Sequence, residues 1–175
     1  MVTVFAYLKK AAALTNKELG VVDGDRADAI VQACDDILAG KLDGNFPLAV
    51  WMTGSGTQFN MNVNEVVANR AKQILQAQGK DLNVHPNDHV NHSQSSNDTF
   101  PTGLHMVGVL LIEEKLFPAM EALYQALRAK QEAFKDIVKI GRTHLQDATP
   151  LTLGQEFSGW ARMVQRDRDM LVDRK

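Results

Sequence analysis

Apolar residues recur at helical spacing through most of this 175-residue chain, and almost nowhere with the alternation of a half-buried strand. Ala27, Ile30, Val31, Cys34, Ile37 and Leu38 form one stripe, preceded by Asp23 and Asp25 and stopped at Gly40. Val63, Val66, Val67, Arg70, Ala71, Ile74 and Leu75 predict a helix over about Asn62 to Gln78, closed by Gly79. Leu104, Val107, Leu111, Met120, Leu123, Tyr124 and Leu127 carry a longer helix from a cap at Asp98 to about residue 135. Pro118 should kink or interrupt it. Residues 2–14 are Ala- and Leu-rich, and Thr15 to Glu18 has the spacing of a capping box for a short second turn. Thr152 and Gln155 repeat that spacing ahead of Phe157, Trp160, Ala161 and Val164, opening a helix still running at Lys175. The expected fold is all-α, built of helical hairpins with at least two long helices.

Charge and composition exclude several functions. Lys and Arg number 19 against 21 Asp and Glu, so no basic excess exists to neutralise phosphates and nucleic acid is not an expected partner. The longest apolar run, Met106 to Ile112, is far too short to span a bilayer, so no membrane is expected either. With no signal segment opening the chain, the expected location is cytoplasmic. Cys34 is the single cysteine and lies on an apolar stripe, which reads as a small core residue rather than a nucleophile.

Three polar islands interrupt the helices, at Gly54 to Glu65, His85 to Thr99 and Gly141 to Asp147. Long amphipathic helices have no structural need for such density of Asn, Ser, Thr and His. Hydroxyls, amides and backbone N–H groups at helix starts suit a small carboxylate ligand that needs no large cationic field. Gly54-Ser55-Gly56 lacks both the third glycine of a dinucleotide fingerprint and the lysine of a phosphate loop. His85, His89 and His92 have the spacing of a metal face, but Pro86 biases the first away from helix and Asn87-Asp88 favours a turn, so no metal is expected. Taken singly, each island also reads as turn and cap residues, and His144 as an ordinary loop histidine.

Taken together they are specific. Gly54-Ser55-Gly56-Thr57-Gln58-Phe59-Asn60-Met61-Asn62-Val63-Asn64-Glu65-Val66, Val84-His85-Pro86-Asn87-Asp88-His89-Val90-Asn91, Ser93-Gln94-Ser95-Ser96-Asn97-Asp98-Thr99-Phe100-Pro101-Thr102 and Gly141-Arg142-Thr143-His144-Leu145-Gln146-Asp147-Ala148 follow one another in order. They resemble the class II fumarases of the fumarase/aspartase superfamily, over nearly the whole chain. Gln58, Ser96 and His144 favour fumarase over aspartase, which typically carries serine, threonine and glutamine at those places.

The resemblance implies an N-terminal helical domain over residues 1–97 and the beginning of a central long-helix bundle over 98–175. It implies reversible hydration of fumarate to L-malate with no metal or organic cofactor. Ser55, Gly56, Thr57, Ser95, Ser96, Asn97 and Thr143 are then binders of the substrate carboxylates, and His144 the acid/base group. His85, Pro86, Asn87 and Asp88 match a second dicarboxylate site, although Leu82 and Asn83 stand where the family usually has basic residues. The implied assembly is a homotetramer whose active sites each draw on three subunits. Family members are more than twice as long and carry a base serine and a substrate-binding lysine in a later mobile loop. The chain is therefore expected to be a portion of such an enzyme, inactive alone. A non-catalytic helical assembly module and aspartate ammonia-lyase are the alternatives.

Overall fold

The computed structural model describes residues 1–49, 51 and 56–174. Among the described residues there are six long helices, in agreement with the all-α expectation: α1 (Val2–Glu18), α2 (Gly24–Leu38), α3 (Thr57–Ala77), α4 (Ser96–Leu111), α5 (Phe117–Ala133) and α6 (Leu153–Val172). An antiparallel hairpin, β1 (Val138–Thr143) and β2 (Gln146–Thr152), joins α5 to α6. The chain divides into two compact units, Met1–Val107 and Gly108–Lys175, with the division inside α4. The expected boundary at 97/98 lies at the start of that helix.

In the first unit, α1, α2 and α3 bury one face each. Phe5, Ile30, Cys34, Val63, Val67, Ala71 and Leu75 make the core, and Val84 and Val90 close it from the connecting segment. At about 25 cal/mol per Å2 of apolar surface removed from water, each large side chain of this kind contributes about 1.5–3 kcal/mol. Asp23 caps α2, accepting from the Arg26 N–H at 3.0 Å. Gly40 and Gly79 take positive φ just beyond α2 and α3, where those helices were expected to stop.

The boundaries of α1 and α3 differ from the expectation. Thr15 to Glu18 opens no new turn: α1 runs on to Glu18 because its buried stripe continues through Ala13 to Asn16. α3 starts five residues ahead of Asn62, at Thr57, because Gly56 with φ +77° turns the chain directly into the helix.

In the second unit, α5 and α6 pack together, with Phe157 edge-on to both Phe134 (centroids 5.6 Å) and Trp160 (4.9 Å). Gly154 lets the start of α6 approach the end of α5; a Cβ there would lie 2.6 Å from the Gln131 carbonyl oxygen. Thr152 caps α6 through the full capping box: its hydroxyl accepts from Gln155 N–H at 3.1 Å, and Gln155 Oε1 accepts from Thr152 N–H at 2.8 Å. Pro118 produces a register change rather than a break. A π-helical turn, Ile112–Leu116, lies just ahead of it, absorbing the missing N–H, and α5 begins at Phe117.

Candidate functional site

In the first unit the chemistry gathers where α3 and α4 begin. Thr57 is the first residue of α3 and Ser96 the first of α4, and their hydroxyl oxygens lie 3.3 Å apart. Ser95 caps α4: its Oγ accepts from the Asn97 N–H at 3.2 Å, and its carbonyl accepts from Asp98 and Thr99 N–H groups. The expected cap, Asp98, instead sits in the first turn of α4. Thr57, Ser95 and Asn97 are exposed and Ser96 is half-buried. Gly56 is buried beneath Phe100, with no room for a side chain; a Cβ would lie 2.2 Å from the Phe100 ring. Ser55 lies outside the described residues. Two helix starts that meet through their first hydroxyls, with the exposed Ser95 hydroxyl and Asn97 amide close by in sequence, offer neutral hydrogen-bond donors.

Below these donors lies a buried polar floor. Asn91 Oδ1 accepts from three donors: Lys9 Nζ at 2.9 Å, Asn60 Nδ2 at 3.1 Å and Asn64 Nδ2 at 3.1 Å. Lys9 Nζ also donates to Gln94 Oε1 at 3.0 Å. The hydroxyl of Thr99 faces Asn60 Oδ1 at 3.4 Å and the Ser95 carbonyl at 3.1 Å. Sequence reasoning assigned no role to Lys9 or Gln94 and treated Asn60 and Asn64 as turn and cap residues. One signal was available: Phe5, Lys9, Ala13 and Asn16 share one helix face, so a lysine falls in the middle of a buried stripe.

The second polar segment, His85 to Asp88, begins a π-helical turn over Pro86–Val90. His85 Nδ1 accepts from the N–H groups of Asn87 (3.3 Å) and Asp88 (3.2 Å), so its lone pair faces the turn and its 3.3 Å contact with Asp88 Oδ2 is not an ion pair in that tautomer. His89 Nδ1 accepts from His85 N–H at 2.8 Å, and His92 Nδ1 lies 2.9 Å from the Asp88 carbonyl. Burial, then the nearby Arg26 charge, lowers the His89 pKa below its ordinary value. Each of the three rings thus engages its Nδ1 with backbone groups close by in sequence.

In the second unit, the island Gly141 to Asp147, whose His144 also reads as an ordinary loop histidine, lies within the β-hairpin. Thr143 pairs with Gln146, leaving His144 and Leu145 as a two-residue turn with φ +48° and +63°. Both signs are those of a type I′ turn, which asparagine and glycine usually occupy. His144 is thus held exposed at the hairpin tip in a conformation uncommon for a histidine. Between Ile140 and Arg142 the register shifts: Gly141 on β1 faces Ala148 and Thr149 on β2. A Cβ on Gly141 would lie 2.7 Å from the Thr149 carbonyl oxygen.

A lyase family model matches residues 1–175. Among curated relatives, fumarate hydratase class II of Bacillus subtilis is 58% identical over 173 residues, which is 99% of this chain and 37% of the relative. That of Campylobacter jejuni is 56% identical over 173 residues, which is 98% of this chain and again 37% of the relative. The crystal structure of class II fumarase from Schistosoma mansoni superposes with a TM-score of 0.88 at 45% identity, over 96% of this chain and 35% of that one. The chain thus spans little more than a third of the length of these relatives.

Proposed function

The chain belongs to the lyase family whose model it matches from end to end, and from that membership we propose that it forms part of a class II fumarate hydratase. The reaction is the reversible addition of water to fumarate, giving L-malate. The observation that carries the reading is the 3.3 Å meeting of Thr57 and Ser96, 39 residues apart, at two helix starts. The first unit supplies binding donors for the substrate carboxylates: Ser55, Gly56, Thr57, Ser95, Ser96 and Asn97. The second unit supplies Thr143 as a further binder and His144 as the acid/base group.

Each group answers a chemical need. In the dehydration direction the weakly acidic carbon proton passes to the base serine that the resemblance places in the family's later loop, and its removal puts a second negative charge on the neighbouring carboxylate. Donors fixed in advance around that carboxylate stabilise the charge, and loss of one such donor costs about 2.7–4 kcal/mol of barrier. The departing hydroxide takes a proton from the imidazolium of His144. In hydration the imidazole takes that proton from water as its oxygen bonds to carbon. Histidine titrates near neutrality, which suits both directions. No organic cofactor or metal is part of this proposal.

His85, Pro86, Asn87 and Asp88 are proposed as a second dicarboxylate site and the cytoplasm as the location; no described helix is long and apolar enough to cross a membrane. The proposed assembly is a homotetramer. Leu111 (54% exposed), Leu123 (52%) and Met163 (63%) put apolar surface on α4, α5 and α6 that such an assembly would cover.

The test is a chimera in which residues 1–175 replace the matching third of the Bacillus subtilis relative, assayed for fumarate hydration beside the 175-residue chain alone. Turnover by the chimera and none by the chain alone is expected. His144→Asn in the chimera should lower kcat by about 10²–10⁴. A folded, assembled chimera without turnover would overturn the proposal.

A further inference from the structure

Lys9 is the one lysine among the described residues with no exposed surface. It makes no ion pair there; its ammonium is held by two amide oxygens, Asn91 Oδ1 and Gln94 Oε1. Burial, the larger influence, pushes its pKa down to about 8 against an opposing effect of Cys34, so the group is still charged at neutral pH. Holding a charge in this way is unfavourable, and a leucine or methionine would fill the volume without that cost. A position filled only for bulk would not keep a lysine.

The hydrogen-bond geometry shows what the ammonium accomplishes. Two acceptor oxygens from one short turn converge on it, and an ammonium offers three donors with no acceptor, so it can bridge both. Both amides are then held at their other ends. Asn91 Nδ2 donates to the Gln94 carbonyl at 2.9 Å, and Gln94 Nε2 donates to the carbonyls of Val90 and His92, both at 3.1 Å. Asn16, two turns further along α1's buried face, donates to the same His92 carbonyl at 3.0 Å. Two polar residues of α1 therefore grip the segment from residue 90 to 94. That segment contains Ser93 with φ +62°, an uncommon backbone for serine, and runs straight into Ser95, Ser96 and Asn97.

From this geometry we infer that Lys9 is a positioning residue, whose buried ammonium acts through Asn91 and Gln94 to hold the turn that presents Ser95, Ser96 and Asn97 to the dicarboxylate. It touches no substrate. The inference rests on the proposed role of those three residues as ligands.

The experiment compares Lys9→Met with Lys10→Met in the protein as its own gene encodes it. Lys10 is the sequence neighbour, paired with Asp35 at the surface, and controls for loss of a charge on α1. Three quantities are read: the Kd for L-malate, kcat/KM for fumarate, and amide hydrogen exchange across residues 91–99 against α2 as internal reference. For Lys9→Met we expect the Kd to rise at least fivefold, kcat/KM to fall at least tenfold, and exchange at 94–97 to speed up at least tenfold, with α2 unchanged. Lys10→Met should stay within twofold on all three. A Lys9→Met protein with a lower Tm but unchanged Kd and kcat/KM would overturn the inference, as would a changed Kd with exchange at 94–97 undisturbed. Should Lys9→Met fail to fold, Gln94→Met removes one of the two bridged acceptors and should shift the same readouts in the same direction; no shift there overturns it. An unmodified protein that binds no dicarboxylate would overturn the site assignment and this role with it. Local exchange would then still report whether Lys9 holds the turn, so the two failures can be told apart.

Discussion

Gly56→Ala should destabilise the first unit by about 2–5 kcal/mol, through two separable effects. Gly56 has φ +77°, and an L-residue in left-handed backbone costs roughly 1–2 kcal/mol. The second effect is steric. The new Cβ would lie 2.2, 2.4 and 2.6 Å from Cγ, Cδ1 and Cδ2 of Phe100, so the ring lies flat over the glycine. Carbon atoms rest at about 3.5–4.0 Å, so the ring must withdraw by more than about 1 Å. It is not free to do so, because Phe5 and Phe59 pack against it at 6.2 and 6.4 Å between centroids. Overpacking of this kind costs about 1–3 kcal/mol. A double-mutant cycle with Phe100→Ala, followed by urea unfolding, separates the two: removing the ring relieves the clash and leaves the backbone term. We expect the double variant to be about 1–3 kcal/mol more stable than the sum of the single losses implies. Losses that add within about 0.5 kcal/mol would mean that the ring does not demand a glycine here. A single-variant loss below 1 kcal/mol would refute both terms.

Thr152→Ala removes the hydroxyl that accepts from the Gln155 N–H at the start of α6, leaving the backbone N–H of residue 152 to Gln155 Oε1, and should cost about 1 kcal/mol, read as a lower urea midpoint with little change in slope. Cys34 is fully buried and its thiol is pushed up to about 12, chiefly by burial. At pH 8 roughly one molecule in ten thousand carries the thiolate, so iodoacetamide should leave the native protein unlabelled by mass and label it fully in denaturant. Asp36 is buried between Lys41 (2.6 Å) and Arg70 (2.8 Å), whose hydrogen bonds hold its carboxyl below the ordinary value of 3.8, with Lys41 the larger influence. A lowered carboxylate pKa stabilises fully above the unfolded value, and that stability is lost as pH falls through the folded value. Asp36→Asn should therefore cost about 1.5 kcal/mol at pH 7, the low end for hydrogen bonds to charged groups because Lys41 is largely exposed. It should also flatten the decline in stability below pH 4. An unchanged acid limb would exclude Asp36 as its source.

Periodicity made the helices legible because burial on α2 and α3 repeats every three to four residues without a break. It failed where local and tertiary signals conflict. Thr15 to Glu18 matches a capping box letter for letter, yet Asn16 is buried and bonded to the His92 carbonyl, 76 residues away, and this keeps the last turn of α1 intact. No window of local sequence contains that partner. The hairpin was missed for a different reason. Its turn is His-Leu rather than Asn-Gly, and its strands carry Lys139, Arg142 and Pro150, so neither turn nor alternation announces it. The unusual backbone at His144 is itself a reason to look there for function, because strain of this kind persists only where surrounding structure enforces it.

The polar islands posed a harder problem, which composition could not resolve. Asparagine, serine and threonine look alike in the sequence whether they face a ligand or support the residues that do. Helix geometry separates them. Thr57 is exposed at the first position of α3, while Asn60 and Asn64, three and seven residues on, are buried and point to Asn91. On α4, Ser96 meets Thr57 while Thr99, three residues on, turns inward to Asn60. The same residue types therefore serve as an exposed rim and as the buried floor beneath it. A residue of the rim can be exchanged at the loss of one donor. A residue of the floor cannot, because removing one strands a partner in a place water does not reach, and an unsatisfied buried polar group costs about 1–3 kcal/mol. On this reasoning Asn91→Ala, which takes the shared acceptor from Asn60 and Asn64 and one of two acceptors from Lys9, should be more damaging to the fold than Asn97→Ala, although both remove one asparagine from the same polar stretch.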